Sequence, residues 1–173
     1  VVSEGERLLS TSTRATSADL VRIIAESYFI KSNYEQALKY IAMYPAEQYG
    51  RQENYIKGYS LYRLARYRDA IEPLRCVCGA MASLTQNASY HLADCYLRIN
   101  DKESAADAFS MASIEGFDST IAENALLNYG RLKYELGGGR FNEAINVLTR
   151  YIESYPQSHR RDEAHKLLIA AYY

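Results

Sequence analysis

The chain has 173 residues, of which 48% are hydrophobic and 24% are charged, with a net charge of −1. These values are typical of a folded domain that buries a sizeable core. The near balance of 20 basic and 21 acidic residues excludes proteins that capture nucleic acid or anionic membranes through a strong positive field. No run approaches the roughly 20 apolar residues of a membrane span, so the sequence predicts no membrane insertion in this segment.

One pattern of spacing recurs along the chain, and the stretch 55–74 shows it most clearly. Apolar residues stand at helical spacing before and after Arg66, which predicts two short helices joined by a tight turn. The pattern is a small residue, an apolar residue three positions later, an aromatic residue after six more, an alanine after three and a large apolar residue after four. In this stretch its members are Gly58, Leu61, Tyr67, Ala70 and Leu74.

In chain order, residues 1–9 are predicted to be the tail of a preceding helix, and the first copy of the pattern has its turn at Ser32-Asn33. The third copy turns at Asn100-Asp101, and the fourth has two extra residues at 137–139. A last helix from Arg161 onward has apolar residues at helical spacing and represents half of a further copy. Two positions depart from the pattern: Lys102 takes the place of the aromatic residue in the third copy, and Lys133 that of the apolar residue in the fourth. The other three copies are Ala25, Tyr28, Tyr34, Ala37 and Ile41; Ala93, Tyr96, Lys102, Ala105 and Phe109; and Gly130, Lys133, Phe141, Ala144 and Leu148.

The alanines of the four second helices stand 33, 35 and 39 residues apart. With this period and a helix–turn–helix unit, the chain resembles a tetratricopeptide repeat protein along nearly its whole length. The resemblance implies an all-α fold, a right-handed α–α superhelix or solenoid, in one domain spanning 1–173. The repeats are expected at about 18–50, 51–85, 86–122 and 123–156, with a partial fifth repeat at 157–173.

The resemblance also implies a concave groove lined by the first helix of each repeat. Its aromatic, amide and charged side chains suit an extended peptide or a partner helix. The alternative is that several of these tyrosines only pack between adjacent repeats. The expected groove positions are Arg22, Glu26, Phe29, Gln52, Tyr55, Tyr59, Tyr62, Asn87, Tyr90, Asp94, Asn124, Leu127, Arg131 and Tyr134.

No pattern in the sequence indicates catalysis, a cofactor or a metal. The three histidines are scattered, and the Cys76–Cys78 pair has no second pair with which to bind zinc. Gly137–Arg140 lacks the strand and the Lys-Ser or Lys-Thr of a phosphate loop, so a lengthened turn is the simpler interpretation. The three cysteines, including Cys95, are expected to be buried thiols, and a bridge from Cys76 or Cys78 to Cys95 is the alternative.

A finer resemblance lies in the Tyr-Pro-Gln-Ser sequence at 155–158 and the helix after it. This stretch is similar to tetratricopeptide lipoproteins and adaptors of bacterial outer-membrane assembly, and to large repeat proteins of Bacteroidetes-like bacteria. It implies a bacterial protein and favours the cell envelope or periplasm slightly over the cytoplasm. Because the chain starts at Val1 and ends inside an apolar helical pattern, we expect it to be an excerpt of a longer protein.

Together these features predict a non-catalytic scaffold that binds another protein or a peptide in a tyrosine-rich concave groove. Two other functions fit the sequence: an envelope-assembly adaptor or lipoprotein-like module, and a sensing domain of a larger regulator or enzyme. The end helices are also expected to permit self-association, because terminal repeats of a solenoid expose a packing face.

Overall fold

A computed structural model describes residues 2–9, 14–79, 83–114, 116–138 and 141–173, without the side chains of residues 14–17. Within these residues the chain is helical and contains no strand. The helices are α1 (Val2–Leu9), α2 (Arg14–Ile30), α3 (Tyr34–Ile41), α4 (Arg51–Arg63), α5 (Tyr67–Val77), α6 (Ser83–Arg98), α7 (Lys102–Ile114), α8 (Ser119–Leu136), α9 (Asn142–Ser154) and α10 (Arg161–Tyr172), with a short 3-10 helix at Ala46–Gln48.

The chain divides into two compact units, residues 1–77 with α1–α5 and residues 78–173 with α6–α10. In each unit every helix packs against the next one in sequence. The first helices of adjacent repeats also touch each other, α2 with α4 in unit 1, and α6 with α8 and α8 with α10 in unit 2. This arrangement confirms the predicted all-α solenoid of helix–turn–helix repeats. The assignment of 1–173 to a single domain stays a prediction.

The recurring spacing places small residues where two helices approach most closely. A Cβ atom on Gly58 would lie 2.7 Å from Leu74 Cγ, and one on Gly130 would lie 2.8 Å from Leu148 Cδ2. The small residue of the first helix therefore makes room for the large apolar residue of the second helix. The alanines of the second helices are at most 1% exposed, and these are Ala37, Ala70, Ala105 and Ala144.

The turns between paired helices have the same geometry in the first three repeats, at the positions that the sequence predicted. One residue of each turn has a left-handed backbone: Ser32 (φ 59°), Ala65 (φ 58°) and Asn100 (φ 64°). The backbone N–H of the next residue then donates to a carbonyl five positions earlier, at 2.9 Å in all three repeats. This bond satisfies a carbonyl that the end of the helix leaves unpaired.

A second recurring contact holds the last turn of two second helices, α5 and α7. Arg51 Nε donates to the carbonyl of Val77 at 3.2 Å, and 35 residues later Gln86 Nε2 donates to the carbonyl of Ala112 at 3.2 Å. Gln86 also accepts a hydrogen bond from the backbone N–H of Asp118 at 2.8 Å. The first turns of α4 and α6 therefore fix where their own repeats end.

Ser158, the last residue of the Tyr-Pro-Gln-Ser sequence, joins three helices in a similar way. Its hydroxyl hydrogen-bonds to the Glu123 carboxylate on α8, lies 2.7 Å from the Tyr151 hydroxyl on α9, and accepts from the backbone N–H of Arg160 before α10. Tyr151 is completely buried and also donates to Glu123 at 3.0 Å. The sequence at 155–158 therefore has a packing role in unit 2.

No disulfide joins the three cysteines, all of which lie in the described part of the chain. Cys95 is completely buried, and burial raises the pKa of its thiol to about 12, so the thiol is protonated at neutral pH. Cys76 lies in the last turn of α5 and is exposed, so the expectation that all three thiols are buried is wrong for this residue.

Two further properties of the described helices bear on function. None is long and apolar enough to cross a membrane. Among the same residues, no three histidine, cysteine or carboxylate side chains are grouped so that they could hold a metal ion.

Enlarging the α4–α5 contact should destabilise unit 1. We expect Ala70→Leu to cost about 1–3 kcal/mol, because Ala70 is completely buried and a larger side chain would push α5 away from its neighbours. Urea denaturation measures the loss. Ala170→Leu is the control, since Ala170 is exposed on α10. An unchanged stability for Ala70→Leu would contradict the register of the repeat.

Replacing the left-handed turn residue Ala65 by glycine should stabilise unit 1. Ala65 is exposed, so Ala65→Gly removes no packing, and glycine adopts a positive φ without the steric cost that alanine incurs. We expect a gain of about 0.5–1 kcal/mol in the free energy of unfolding. Ala170→Gly, inside a helix, should instead lose about 0.5–1 kcal/mol. Equal losses for the two variants would rule out the turn geometry.

Candidate functional site

Unit 1 has a continuous group of half-buried aromatic side chains, here called the aromatic cluster. Its centre is a row on α4, where residues three and four positions apart lie on one face of the helix. The neighbouring rings come from the end of α2 and from the starts of α3 and α5. The members are Phe29, Tyr34, Tyr55, Tyr59, Tyr62 and Tyr67, each of intermediate exposure.

The rings are held by contacts with one another. Tyr55 and Tyr59 are stacked, with centroids 5.6 Å apart and planes 21° from parallel. Phe29 from α2 meets both rings edge to face, at 6.1 and 5.6 Å, and Tyr34 meets Tyr59 in the same way at 6.0 Å. These are the preferred geometries of aromatic pairs, so the rings stabilise one another's positions while each stays partly exposed.

The row continues toward the end of α4. Tyr62 lies 6.0 Å from Tyr59 and 6.0 Å, edge to face, from Tyr67 at the start of α5. The turn after Arg63 brings Tyr67 back beside α4. The cluster therefore includes side chains from both helices of the second repeat and both helices of the first.

A cation lies on the cluster. The Arg63 guanidinium is 4.8 Å from the centroid of the Tyr34 ring and 5.8 Å from that of Tyr59. Its Nη1 donates to the hydroxyl of Tyr34 at 2.9 Å and to that of Tyr59 at 3.2 Å. These contacts raise the pKa of Arg63 further above its ordinary value, first through the Tyr59 hydroxyl and then through the charges of the phenolic groups.

A polar group lies near the start of α4. Gln52 Nε2 donates to Glu26 Oε1 at 2.8 Å, and Arg22 Nη1 lies 3.9 Å from Glu26 Oε2. All three are predicted groove residues, and the structure brings them together across α2 and α4. In unit 1 the predicted positions therefore form one surface. Its end near Gln52 is polar, and the rest of it is aromatic.

In unit 2 the predicted positions are engaged mainly with their own unit. Tyr90 packs edge to face on Phe109 of α7 at 5.4 Å, and burial raises its pKa. Tyr134 packs on Phe141, with centroids 5.2 Å apart. Asp94 lies 3.6 Å from the Arg98 guanidinium.

The remaining polar side chains predicted in unit 2 also have partners there. Arg131 pairs with Glu163 at 2.7 Å, and Asn124 Oδ1 accepts from Arg160 Nη1 at 3.0 Å. Asn87 donates to the carbonyl of Ser83 at 3.1 Å, within its own helix. Unit 2 thus has a polar, internally paired surface where unit 1 has rings.

One predicted groove position is wrong, and several residues of the surface were missed. Leu127 is completely buried in the core of unit 2, packed with Leu148 and Tyr151, so it cannot line a groove. Tyr34, Arg63 and Tyr67 were not predicted, although Arg63 follows Tyr59 by four positions and so belongs to the same face of α4.

A cavity of about 480 Å³ lies on a different face of α4 from the tyrosine row. Its charged rim is largely paired locally: Arg66 bonds to Asp69 at 2.8 Å, and Lys57 lies 5.5 Å from the centroid of the Tyr49 ring. The lining residues are Leu38, Ile41, Ala42, Tyr49, Asn54, Lys57, Leu61, Arg66, Asp69, Glu72, Pro73 and Cys76.

Comparison with known proteins supports the repeat assignment. The family model described as "Tetratricopeptide repeat" matches residues 87–112 and 124–158, which cover α6–α7 and α8–α9. No curated protein matches the sequence significantly. Tetratricopeptide repeats build scaffolds for protein–protein interaction, and the match supports that general role.

Solved structures of MamA are similar to this chain in fold. A crystal structure of MamA is 20% identical over 86% of this chain and 92% of that chain, with a TM-score of 0.59. A MamA mutant is 17% identical over 92% of this chain and 88% of that chain, with a TM-score of 0.63. A further crystal structure of the MamA protein is 20% identical over 89% of each chain, with a TM-score of 0.59. At these identities the likeness shows the fold.

The burial of Tyr55 should appear in the pH dependence of stability. Burial, followed by the neighbouring Tyr59 and Tyr34, raises the pKa of Tyr55 to about 12, against an ordinary value near 10. Folding therefore favours the neutral phenol. The contribution of Tyr55 to the free energy of unfolding is complete below pH 10 and is lost as the pH rises through 12.

Replacing the phenol by phenylalanine removes this sensitivity. Between pH 8 and pH 11 the native protein should lose about 1 kcal/mol more than Tyr55→Phe in the free energy of unfolding. Urea denaturation of both proteins at the two pH values measures the difference, and the other ionising groups are common to both. Equal losses would mean that Tyr55 is not buried in the cluster.

Proposed function

Since the chain is a tetratricopeptide repeat protein, we propose that it is a non-catalytic scaffold that holds an extended segment of a partner protein on the aromatic cluster of unit 1. The observation that carries the proposal is the row Tyr55, Tyr59 and Tyr62. These rings are half-buried, rigidly packed and still partly exposed on a first helix.

The contact between the two helices of the second repeat, α4 and α5, does not account for this row. At the contact between α4 and α5, Gly58 approaches Leu74 closely, and Leu61 and Ala70 on these helices are also buried. The tyrosines stand on another part of α4 and remain accessible. Half-exposed aromatic rings with fixed positions give a partner large contact area at low cost in side-chain entropy.

An extended segment fits the shape of the surface. Rings follow α4 over about two turns, which gives an extended segment a continuous row of contacts. Aromatic residues of this kind contribute most of the binding energy at protein interfaces, so a short row suffices to anchor a peptide. The polar positions predicted in unit 2 would contribute less, because they are paired within their own unit.

The envelope-adaptor function gains no separate support. It was suggested by the Tyr-Pro-Gln-Ser sequence, and Ser158 explains the end of that sequence through its bonds to α8 and α9. Any repeat protein could use such a sequence for packing, so it does not favour an adaptor function. The binding function therefore depends on the aromatic cluster and not on this resemblance.

Affinity capture from a lysate of the source organism, read by mass spectrometry, tests the proposal. We expect a protein that the native chain enriches and that Tyr55→Ala/Tyr59→Ala/Tyr62→Ala loses by at least about tenfold, since aromatic anchors are worth 2 kcal/mol or more. Circular dichroism verifies that the variant is folded.

The matched control removes three tyrosines outside the cluster, in Tyr44→Ala/Tyr172→Ala/Tyr173→Ala. This variant should capture the same protein as the native chain. If instead the cluster variant keeps every captured protein, the tyrosines are packing residues and the binding surface lies elsewhere.

A further inference from the structure

Two arginines occupy equivalent places in successive repeats but have different neighbours. Arg63 ends α4, and Arg98 stands 35 residues later at the end of α6. Four positions before Arg98 is Asp94, whose carboxylate lies 3.6 Å from the guanidinium. Four positions before Arg63 is Tyr59, which offers a ring and a hydroxyl in place of a carboxylate.

Among the described residues of its own repeat, no acid neutralises the charge of Arg63. Its contacts in the described part of the chain are with the rings and hydroxyls of Tyr34 and Tyr59, together with the electrostatic influence of Tyr62. No carboxylate among those residues forms an ion pair with it. The side chain is exposed, so a partner can reach it.

Several carboxylates of the same unit are already engaged by other groups. Glu26 bonds to Gln52, Asp69 to Arg66, and Glu72 to Arg75. Glu6 accepts from the hydroxyls of Tyr28 and Tyr40. Each of these acids has a partner of its own, which leaves the aromatic cluster with a net positive charge at Arg63.

The guanidinium is also held in a fixed orientation. Both of its hydrogen bonds use Nη1, and within the described residues Nε and Nη2 make none. The edge formed by Nε and Nη2 is one along which arginine binds a carboxylate through two parallel hydrogen bonds. Two hydroxyls and two rings thus position an arginine whose carboxylate-binding edge meets no acceptor in the part of the chain that the structure describes.

We propose that Arg63 binds an acidic side chain in the middle of the partner segment, whose aromatic, proline or other apolar residues lie on the rings to either side. This proposal rests on the proposed function and names the chemistry of its partner. An internal acid is favoured over a chain terminus because rings flank Arg63 on both sides. Tyr34 and Phe29 lie toward the first repeat, and Tyr62 and Tyr67 lie toward α5.

A display library of random nonapeptides, fused at both ends so that no C-terminal carboxylate is present, tests the proposal. It is sorted on the native protein, on Arg63→Gln and on the matched control Arg98→Gln. The native protein and the control should enrich peptides with Asp or Glu at an interior position between apolar residues. Arg63→Gln should enrich apolar peptides without that acid.

The best peptide is then synthesised with Glu, Gln or Lys at the acidic position, acetylated and amidated, and titrated by fluorescence anisotropy. The native protein should bind the Glu form about five- to tenfold more tightly than the Gln form, and the Lys form more weakly still. In Arg63→Gln the Glu and Gln forms should bind within about twofold of each other. The Glu preference of the native protein should shrink as salt is raised, because the pair is partly exposed.

The outcomes separate this inference from the proposed function. Enrichment of apolar peptides with no acid, lost in Tyr55→Ala/Tyr59→Ala, would overturn the role of Arg63 and leave the aromatic cluster as the binding surface. If Arg63→Gln keeps the preference for Glu and Arg98→Gln loses it, the acid binds Arg98 in unit 2, and the inference is overturned. Failure to enrich any peptide that depends on Tyr55 and Tyr59 would overturn both.

Discussion

The close approach of the two helices in each repeat is the constraint on which the rest of this fold depends. Gly58 and Gly130 leave no room for a Cβ atom, and their partners Leu74 and Leu148 fill the space completely. Because no single helix pair buries enough apolar surface to be stable alone, each pair must also pack on the next. This double requirement fixes which residues of a first helix face inward.

The same constraint explains why the binding surface is where it is. On α4 the small and apolar residues needed for packing leave a second face, and tyrosines occupy it. Edge-to-face contacts from Phe29 and Tyr34 order these rings without burying them, since each ring keeps intermediate exposure. In unit 2 the positions that correspond to Tyr59 carry Asp94 and Arg131, whose charges are paired, so repetition of the backbone does not repeat the surface chemistry.

The sequence predicted the parts of this protein that follow from spacing. The turns at Ser32, at Ala65 beside Arg66, and at Asn100 were predictable because the helical stripes break there, and the row of tyrosines because they recur at helical spacing. It did not predict that Leu127 is core, since a position three residues from a small interface glycine lies near the boundary between two faces. The contact of Arg63 with Tyr34 joins two repeats, and spacing within one helix carries no information about it.

Solution NMR with the tyrosine rings isotopically labelled tests the central claim most directly, because it reports where a bound segment lies. On titration with the captured partner or its binding peptide, we expect the ring signals of Tyr55, Tyr59 and Tyr62 to shift strongly. Those of Tyr129 and Tyr151 in unit 2 should stay in place. Shifts confined to unit 2, or strong binding with no change at these three rings, would contradict the assignment of the aromatic cluster as the binding surface.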